Sequence, residues 1–347
     1  MKKKSGFINK AIVLFIVILV ALFVSIYYKA DNVAAWSDSD SNFGSDSIVS
    51  TQAIEGMQIY FCPEDCGDMN KLFPDDLNKM LCAIYDIEYD WFWDKARKLF
   101  DLNKEVIIVS DNDQFYANYT KLDPVVLDDI NYLNSKGLIK LDTGSGYMHS
   151  KICVLDDYLL IGSKNFNKTK NYDNFILIKD KGLTSIAETE IKELYSGNFD
   201  KGEKTISQKG AIQLYFCPED GCEEKYLEEL SKAKDRIHCE FFTLTLDSLS
   251  TEMLNQKQGG ADLKLIFENS QISQYSQFTK LIDYSKKTNG FYLHSKFCII
   301  DDSVITGSMN PSKNSDTKNN EAIIIIHDEK VAEIYEDKFQ EHWNKIE

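Results

Sequence analysis

HSKICVLDDYLLIGSKN at residues 149–165 and HSKFCIIDDSVITGSMN at residues 294–310 are one pattern carried twice by the same chain. Each copy opens on a histidine, places a lysine two residues later, turns at an Asp-Asp pair and closes on Gly-Ser-x-Asn at the same spacing. Imidazoles, ammonium groups and amides are not favoured in a core unless they are paired. Their duplication at fixed spacing within an apolar stretch therefore points to two halves of one active site rather than to packing.

Working outward, the apolar residues after each histidine run without alternation, as Ile152, Cys153, Val154, Leu155 and as Phe297, Cys298, Ile299, Ile300. Continuous apolar runs mark strands buried on both faces. On such a strand His149 and Lys151 project from the same side, as do His294 and Lys296. The Asp-Asp turn and a short return strand then bring Gly162-Ser163 and Gly307-Ser308 back beside the strand end.

The repeat is wider than this motif. QIYFCPEDC from Gln58 recurs as QLYFCPEDGC from Gln213, each an opening strand and turn. An amphipathic helix follows, carrying Leu227, Leu230 and Ala233 in the second copy, then a strand, LCAIYDIE from Leu81 or IHCEFFTL from Ile237. A second helix, the strands EVIIV (Glu105 to Val109) and DLKLIF (Asp262 to Phe267), the histidine hairpin, a last strand and a closing helix complete each copy. Alternating strands and helices predict an α/β fold with a mostly parallel sheet covered on both faces.

The composition, 43% hydrophobic and 12% aromatic over 347 residues, suffices for substantial cores. A net charge of -16 argues against a broad basic surface for nucleic acid. Ahead of the repeats, Ala11 to Tyr28 is uncharged and long enough for a helix to cross a hydrocarbon core of about 30 Å. It exceeds the roughly 7 to 15 residues of a signal-peptide core, so an uncleaved anchor is favoured over a signal cleaved near Val33, Ala34 and Ala35. Lys2, Lys3, Lys4 and Lys10 precede it, which puts the N-terminus in the cytoplasm and the body outside. The expected organisation is an anchor at 1–29, a flexible Ser/Asp-rich linker at 30–55, and repeats at 56–208 and 209–347.

The residue types suit phosphodiester chemistry. Charge developing on the non-bridging oxygens calls for fixed cations and hydrogen-bond donors, and Lys151, Lys296, Asn165, Asn310, Ser163 and Ser308 are candidates. Two imidazoles can divide nucleophilic attack and proton donation at near-neutral pH. The arrangement requires neither metal nor cofactor. Asp173 and Glu321, at the starts of the two last strands, are expected to accept from the histidine ring N–H, the alternative being exposed strand-end carboxylates.

His149-x-Lys151-x4-Asp156 with Gly162-Ser163-x-Asn165, and His294-x-Lys296-x4-Asp301 with Gly307-Ser308-x-Asn310, resemble the paired HKD motifs of the phospholipase D superfamily. The resemblance covers about residues 56 to 347. It implies two pseudo-symmetric halves, each a mostly parallel (mixed) sheet flanked by helices, forming one α-β-α sandwich. It also implies metal-independent cleavage through a covalent phosphohistidine, with a supporting role for Asp156 and Asp301. By that analogy His149 is the nucleophile and His294 the general acid. Five residues separate the motif Asp from the Gly in both copies where the family more often has six, so the return hairpin is shortened.

The eight cysteines occupy equivalent positions in the two copies. Cys62–Cys66 and Cys217–Cys222 are expected as short-loop disulfides of about 2 kcal/mol each. Cys82–Cys153 and Cys239–Cys298 would tie adjacent strands, unless they remain buried free thiols. Without a Cys-x2-Cys pair no zinc site is expected. His238, His327 and His342 read as surface or packing histidines. YDWFWDKARKLF, Tyr89 to Phe100, reads as a packed helix, with a substrate lip as the alternative, and Asn118 and Asn167 fit a glycosylation acceptor pattern. The functional expectation is a membrane-anchored phosphodiesterase acting on phospholipid by hydrolysis or phosphatidyl transfer. The alternatives are a nuclease for DNA or RNA and a non-catalytic phosphate-binding protein.

Overall fold

The computed structural model describes residues 52–54, 56–205 and 210–346. The expected anchor, and the linker up to residue 51, lie outside the described residues. The apolar runs become two sheets. In the first, β1 (Gln52–Ile54), β2 (Met57–Cys62), β3 (Lys79–Ile84), β4 (Glu105–Ser110), β5 (Ile139–Leu141), β6 (Lys151–Leu155), β7 (Tyr158–Gly162) and β8 (Asp173–Lys179) lie in the order β1-β2-β8-β7-β6-β3-β4-β5. In the second, β9 (Ile212–Cys217), β10 (Arg236–Phe241), β11 (Asp262–Phe267), β12 (Ser285–Lys287), β13 (Lys296–Ile300), β14 (Ser303–Gly307) and β15 (Glu321–His327) lie in the order β12-β11-β10-β13-β14-β15-β9. Read from β5 and from β12 the two orders coincide, and β1 is an extra edge on the first. β1 also shortens the expected linker, because Gln52–Ile54 is already paired with β2.

The helices are α1 (Asp90–Asp101), α2 (Asn112–Tyr119), α3 (Pro124–Ser135), α4 (Lys181–Ser196), α5 (Cys222–Leu230), α6 (Asp247–Gly259), α7 (Lys313–Thr317) and α8 (Glu329–Lys345). The α/β class and the mixed, helix-flanked sheets are as expected, but the strand directions are not mostly parallel. Among the described residues only β3–β4, β4–β5, β10–β11 and β11–β12 run parallel, each pair joined by a crossover connection. The return hairpins and the outer strands make every other ladder antiparallel. The layering is also thicker than one α-β-α unit. Ile152, Val154 and Ile176 of one sheet share a core with Ile299, Val304 and Ile324 of the other and with Leu183 and Ile191 of α4 and Tyr335 and Phe339 of α8. Separate cores lie on the outer faces, under α1 and α3 in one half and under α5 and α6 in the other.

The halves differ in detail. Where the second has α5, the first has only a 3-10 turn at Met69–Leu72. α1 is a packed helix rather than a lip, with Phe92 and Trp93 buried. Its Arg97 ion-pairs with Asp128 and Asp129 on the outside. Cys82 lies directly opposite Cys153 on β3 and β6, and Cys239 opposite Cys298 on β10 and β13, so each histidine strand is joined by a disulfide to its neighbour. Cys62–Cys66 and Cys217–Cys222 close the small turns. The glycosylation reading fails on burial. Asn118 and Asn167 are 3% and 6% exposed, and both donate their amides to the carboxylate of Asp86.

The motif aspartates explain themselves here. Asp156 and Asp301 adopt φ of 52° and 49° in the two-residue hairpin loops, a conformation that aspartate tolerates better than most residues. Asp301 accepts from the backbone N–H groups of Lys234 (2.9 Å), Asp235 (2.8 Å) and Arg236 (3.0 Å), and Asp156 accepts from Asn78 (2.9 Å) and Lys79 (2.8 Å). Both hold the far end of the hairpin to the start of the neighbouring strand and stand away from the histidines. Asp301→Ala is therefore expected to lower stability to urea by about 2–3 kcal/mol, the cost of losing a charged acceptor for three donors. Asp301→Asn, which keeps one acceptor oxygen and the turn preference, is expected to cost less.

Candidate active site

Each histidine sits just ahead of a central strand, β6 or β13, and each acid opens the last strand of a half, β8 or β15. What joins them is a close approach of backbones. A Cβ on Gly162 would lie 2.3 Å from the Asn174 carbonyl oxygen, and one on Gly307 2.1 Å from that of Ala322. Gly307 also has φ of 141°. Only glycine lets the return strand close on the last strand there. Ser163 and Ser308 then donate their backbone N–H to those same carbonyls at 2.8 and 2.9 Å.

The carboxylates pair with histidines of the opposite half. His149 Nδ1 lies 2.8 Å from Glu321 Oε2, and His294 Nδ1 lies 2.7 Å from Asp173 Oδ1. A carboxylate can only accept, so Nδ1 carries the proton and Nε2 is the ring nitrogen left for the cleft. The backbone repeats the exchange. His149 N–H donates to the Asn320 carbonyl at 2.9 Å, and His294 N–H to that of Tyr172 at 2.8 Å.

Lys151 and Lys296 are 2% and 1% exposed. Each donates Nζ to the carbonyl of the histidine two residues before it, and each lies 5.0 Å from an aromatic ring, Tyr85 or Phe242. Among the described residues neither lysine has a carboxylate within ion-pair distance. Asn165 and Asn310 leave buried Oδ1 atoms without a partner.

Ser163 and Ser308 are a correction. Expected as phosphate donors, they instead donate to the carboxylates, Ser163 to Asp173 at 2.7 Å and Ser308 to Glu321 at 2.6 Å. Their hydroxyls also accept from the Asn174 and Ala322 N–H groups. The serines orient the acids that orient the histidines. Asp156 and Asp301 are not brought to the cleft.

Burial sets the charge states. It pulls His294 down to about 4, with Lys296 acting in the same direction, and lowers His149 against the pull of Glu321. Burial also brings Lys151 to about 7 and Lys296 to about 8. It raises the acids, but His294 and Lys296 more than offset this at Asp173, as His149 and Lys151 do at Glu321, so both carboxylates are held below their usual range. The resting site therefore offers two neutral imidazoles beside two readily charged amines. Such a set can bind an anionic diester, attack its phosphorus through one Nε2 and protonate a leaving oxygen through the other.

Several contributors were not singled out from sequence. Tyr85 packs on His149 and Phe242 on His294, with ring centroids 4.8 and 4.9 Å apart, and Tyr147 and Tyr292 flank them. The signal was present, since a tyrosine stands two residues before each histidine and an aromatic three residues after each of Cys82 and Cys239. Lys164, the variable residue of the first Gly-Ser-x-Asn turn, is 3% exposed and donates to Asn167 and Thr169, where the second copy has Met309.

Residues 226–343 match the family described as cardiolipin synthase, PLD-like domain. A protein of Rickettsia typhi named phospholipase D is 31% identical over 132 residues, which cover 36% of this chain and 64% of that protein. A mitochondrial cardiolipin hydrolase of Chlamydomonas reinhardtii is 27% identical over 126 residues, 35% of this chain and 56% of that one. The chain thus spans less than two thirds of these relatives. The solved structure of phosphatidylserine synthase from Haemophilus influenzae superposes with a TM-score of 0.61 at 10% identity, covering 84% of this chain and 87% of that one, and shares the fold. The chain is thus similar to the phospholipase D-like superfamily, through the family match over residues 226–343 and through the paired motifs and the doubled sheet.

Proposed function

We propose that the chain is a phosphodiesterase that works through a phosphohistidine and takes phospholipid, with its body held outside the membrane by the segment at 1–29. The observation that carries the reading is the crossed pairing of His149 with Glu321 and His294 with Asp173, which leaves each Nε2 clear of the carboxylates while both histidines feel the charge of both Lys151 and Lys296. An anionic diester in the cleft favours the charged forms of both lysines and of one imidazole. In this reading His149 Nε2 attacks phosphorus, the P–O bond to the leaving alcohol breaks, and His294 gives that oxygen its proton. Water then attacks the phosphohistidine, His294 takes the water proton, and the N–P bond breaks to release His149. An alcohol in place of water makes the second step a transfer. Phospholipid is favoured by the lipid-acting names of the relatives and by the net charge of -16, which opposes a polyanion.

In EDTA, the body from residue 52 onward is expected to cleave bis-p-nitrophenyl phosphate. His149→Ala and His294→Ala should each lose about a thousandfold or more in kcat. p-Nitrophenol leaves without needing a proton, so His294→Ala should accumulate a phosphorylated protein detectable by mass, and His149→Ala should not. Full activity in either variant sinks the two-histidine reading. Single-stranded DNA cleaved in preference to phosphatidylcholine vesicles would move the substrate to nucleic acid.

Lysines at about 7 and about 8 lose their charge as pH rises, so their hold on an anion is full below that range and fades above it. KM is expected to climb by up to about tenfold per pH unit above this range, where the loss of one charge limits binding. Steady-state kinetics between pH 6 and about 9 check this, and Lys151→Arg, which stays charged, should flatten the rise.

A further inference from the structure

The doubled fold breaks its symmetry directly beneath one histidine. Tyr172 and Asn320 are equivalent, each preceding an acid and each offering its carbonyl to the backbone of a histidine in the other half. The Tyr172 ring is buttressed. It meets the Phe291 ring at 4.5 Å and the His342 ring at 4.9 Å. His342, 3% exposed on α8, lies with Nδ1 2.6 Å from Oε1 of Glu240, which is fully buried on β10. The other atoms of that pair, His342 Nε2 and Glu240 Oε2, are buried without a partner.

The first half has none of this. Counting from the capping aspartates Asp180 and Asp328, the position of His342 is held by Leu194. Counting from the strand cysteines, Glu240 corresponds to Ala83, and counting back from the histidines, Phe291 corresponds to Gly146. Leu194 and Ala83 are buried apolar residues. A cavity of about 650 Å³, lined in part by Gly146, Tyr147 and Asn319, opens on that side. Because the same fold closes with leucine and alanine in one half, a buried histidine–carboxylate hydrogen bond with unpartnered atoms in the other is not needed for packing. Replacing such a pair with apolar side chains is often neutral or stabilising.

We propose that His342, held by Glu240, is a positioning residue that braces Tyr172 and through it the His294–Asp173 pair. The chain of contact is short. His342 meets the Tyr172 ring, the Tyr172 carbonyl holds the N–H groups of His294 and Ser295 at 2.8 and 2.7 Å, and Asp173, the next residue, holds the His294 ring. Misplacing a reacting group by about 1 Å can cost about a hundredfold in rate. The brace serves the His294 side only, so its loss should affect one imidazole and spare the other.

The assignment rests on the two-histidine reading, and one arm of its test does not need turnover. The chain carries five histidines, so 15N-histidine labelling gives a small imidazole spectrum. The Nδ1–H signals of His294 and His149 are assigned by their loss in the alanine variants. His342→Leu, and the double variant Glu240→Ala with His342→Leu that installs the first half's residues, are expected to broaden the His294 signal or speed its exchange while the His149 signal stays sharp. On bis-p-nitrophenyl phosphate both should lose about tenfold to a hundredfold in kcat with KM unchanged. Glu240→Gln, which still accepts from His342, should recover most of the rate. If the His294 signal is unchanged in the folded double variant, the brace is overturned whether or not the wild type turns over. It is equally overturned if kcat is unchanged while only melting temperature moves, or if Glu240→Gln falls as far as His342→Leu. An inactive wild type with a broadened His294 signal in the variants would sink the phosphodiesterase reading and leave the brace standing.

Discussion

Everything at the centre of this molecule depends on two imidazole–carboxylate hydrogen bonds that cross from one half to the other. Glu321 of the second half holds His149 of the first, and Asp173 of the first holds His294 of the second. Four ionisable side chains that water would otherwise solvate, the two acids and the two lysines beside them, are taken out of solvent at this seam. Removing a charge from water is costly unless its partners are well placed. The local chemistry serves that placement. Glycine lets two backbones close, serine hydroxyls fix the acids, and histidine carbonyls hold the lysines. Neither half alone would keep its own acid beside its own histidine, so the association of the halves and the construction of the site are one event.

The seam also explains why the shared core is so apolar. The isoleucine-rich inner faces of β6, β8, β13 and β15 meet α4 and α8 in a single cluster, and this burial carries the association that brings the crossed pairs together. The polar exceptions are few and specific. Asn174 donates to Ser295 Oγ at 2.9 Å and accepts from Thr306 Oγ1 at 2.7 Å and from the Tyr335 hydroxyl at 3.2 Å, whereas its counterpart is Ala322. These contacts tie the strand that carries Asp173 to the other half at its deepest point.

Repetition gives equal machinery, and the departures from it give the two histidines different surroundings. On one side a stack of Tyr172, Phe291 and His342 fills the wall, and on the other a cavity opens beside Tyr147. Lys164 sits where Met309 does in the second copy and joins a polar cluster around Asp86. A reaction that needs one imidazole to attack and another to donate uses such differences, because identical environments would leave both groups in the same protonation state.

What could be known without coordinates was set by spacing along the chain. The doubled His-x-Lys and Gly-Ser-x-Asn pattern, the apolar strands and the acids that open the last strands are legible because backbone periodicity puts alternate residues on one face whatever the rest of the protein does. The aspartates of the hairpin turns were legible for the same reason. Which acid serves which histidine was not legible, because that depends on how two halves far apart in sequence come together, and either pairing satisfies the spacing. The serine hydroxyls turned toward Asp173 and Glu321 for a similar reason, since an acceptor within reach in three dimensions captures a donor before any substrate arrives. The mostly antiparallel sheet and the burial of Asn118, Asn167 and His342 were also decided in space. Sequence spacing determines which residues are available on a strand or a turn, and only the closure of one half on the other determines the partner each polar group takes.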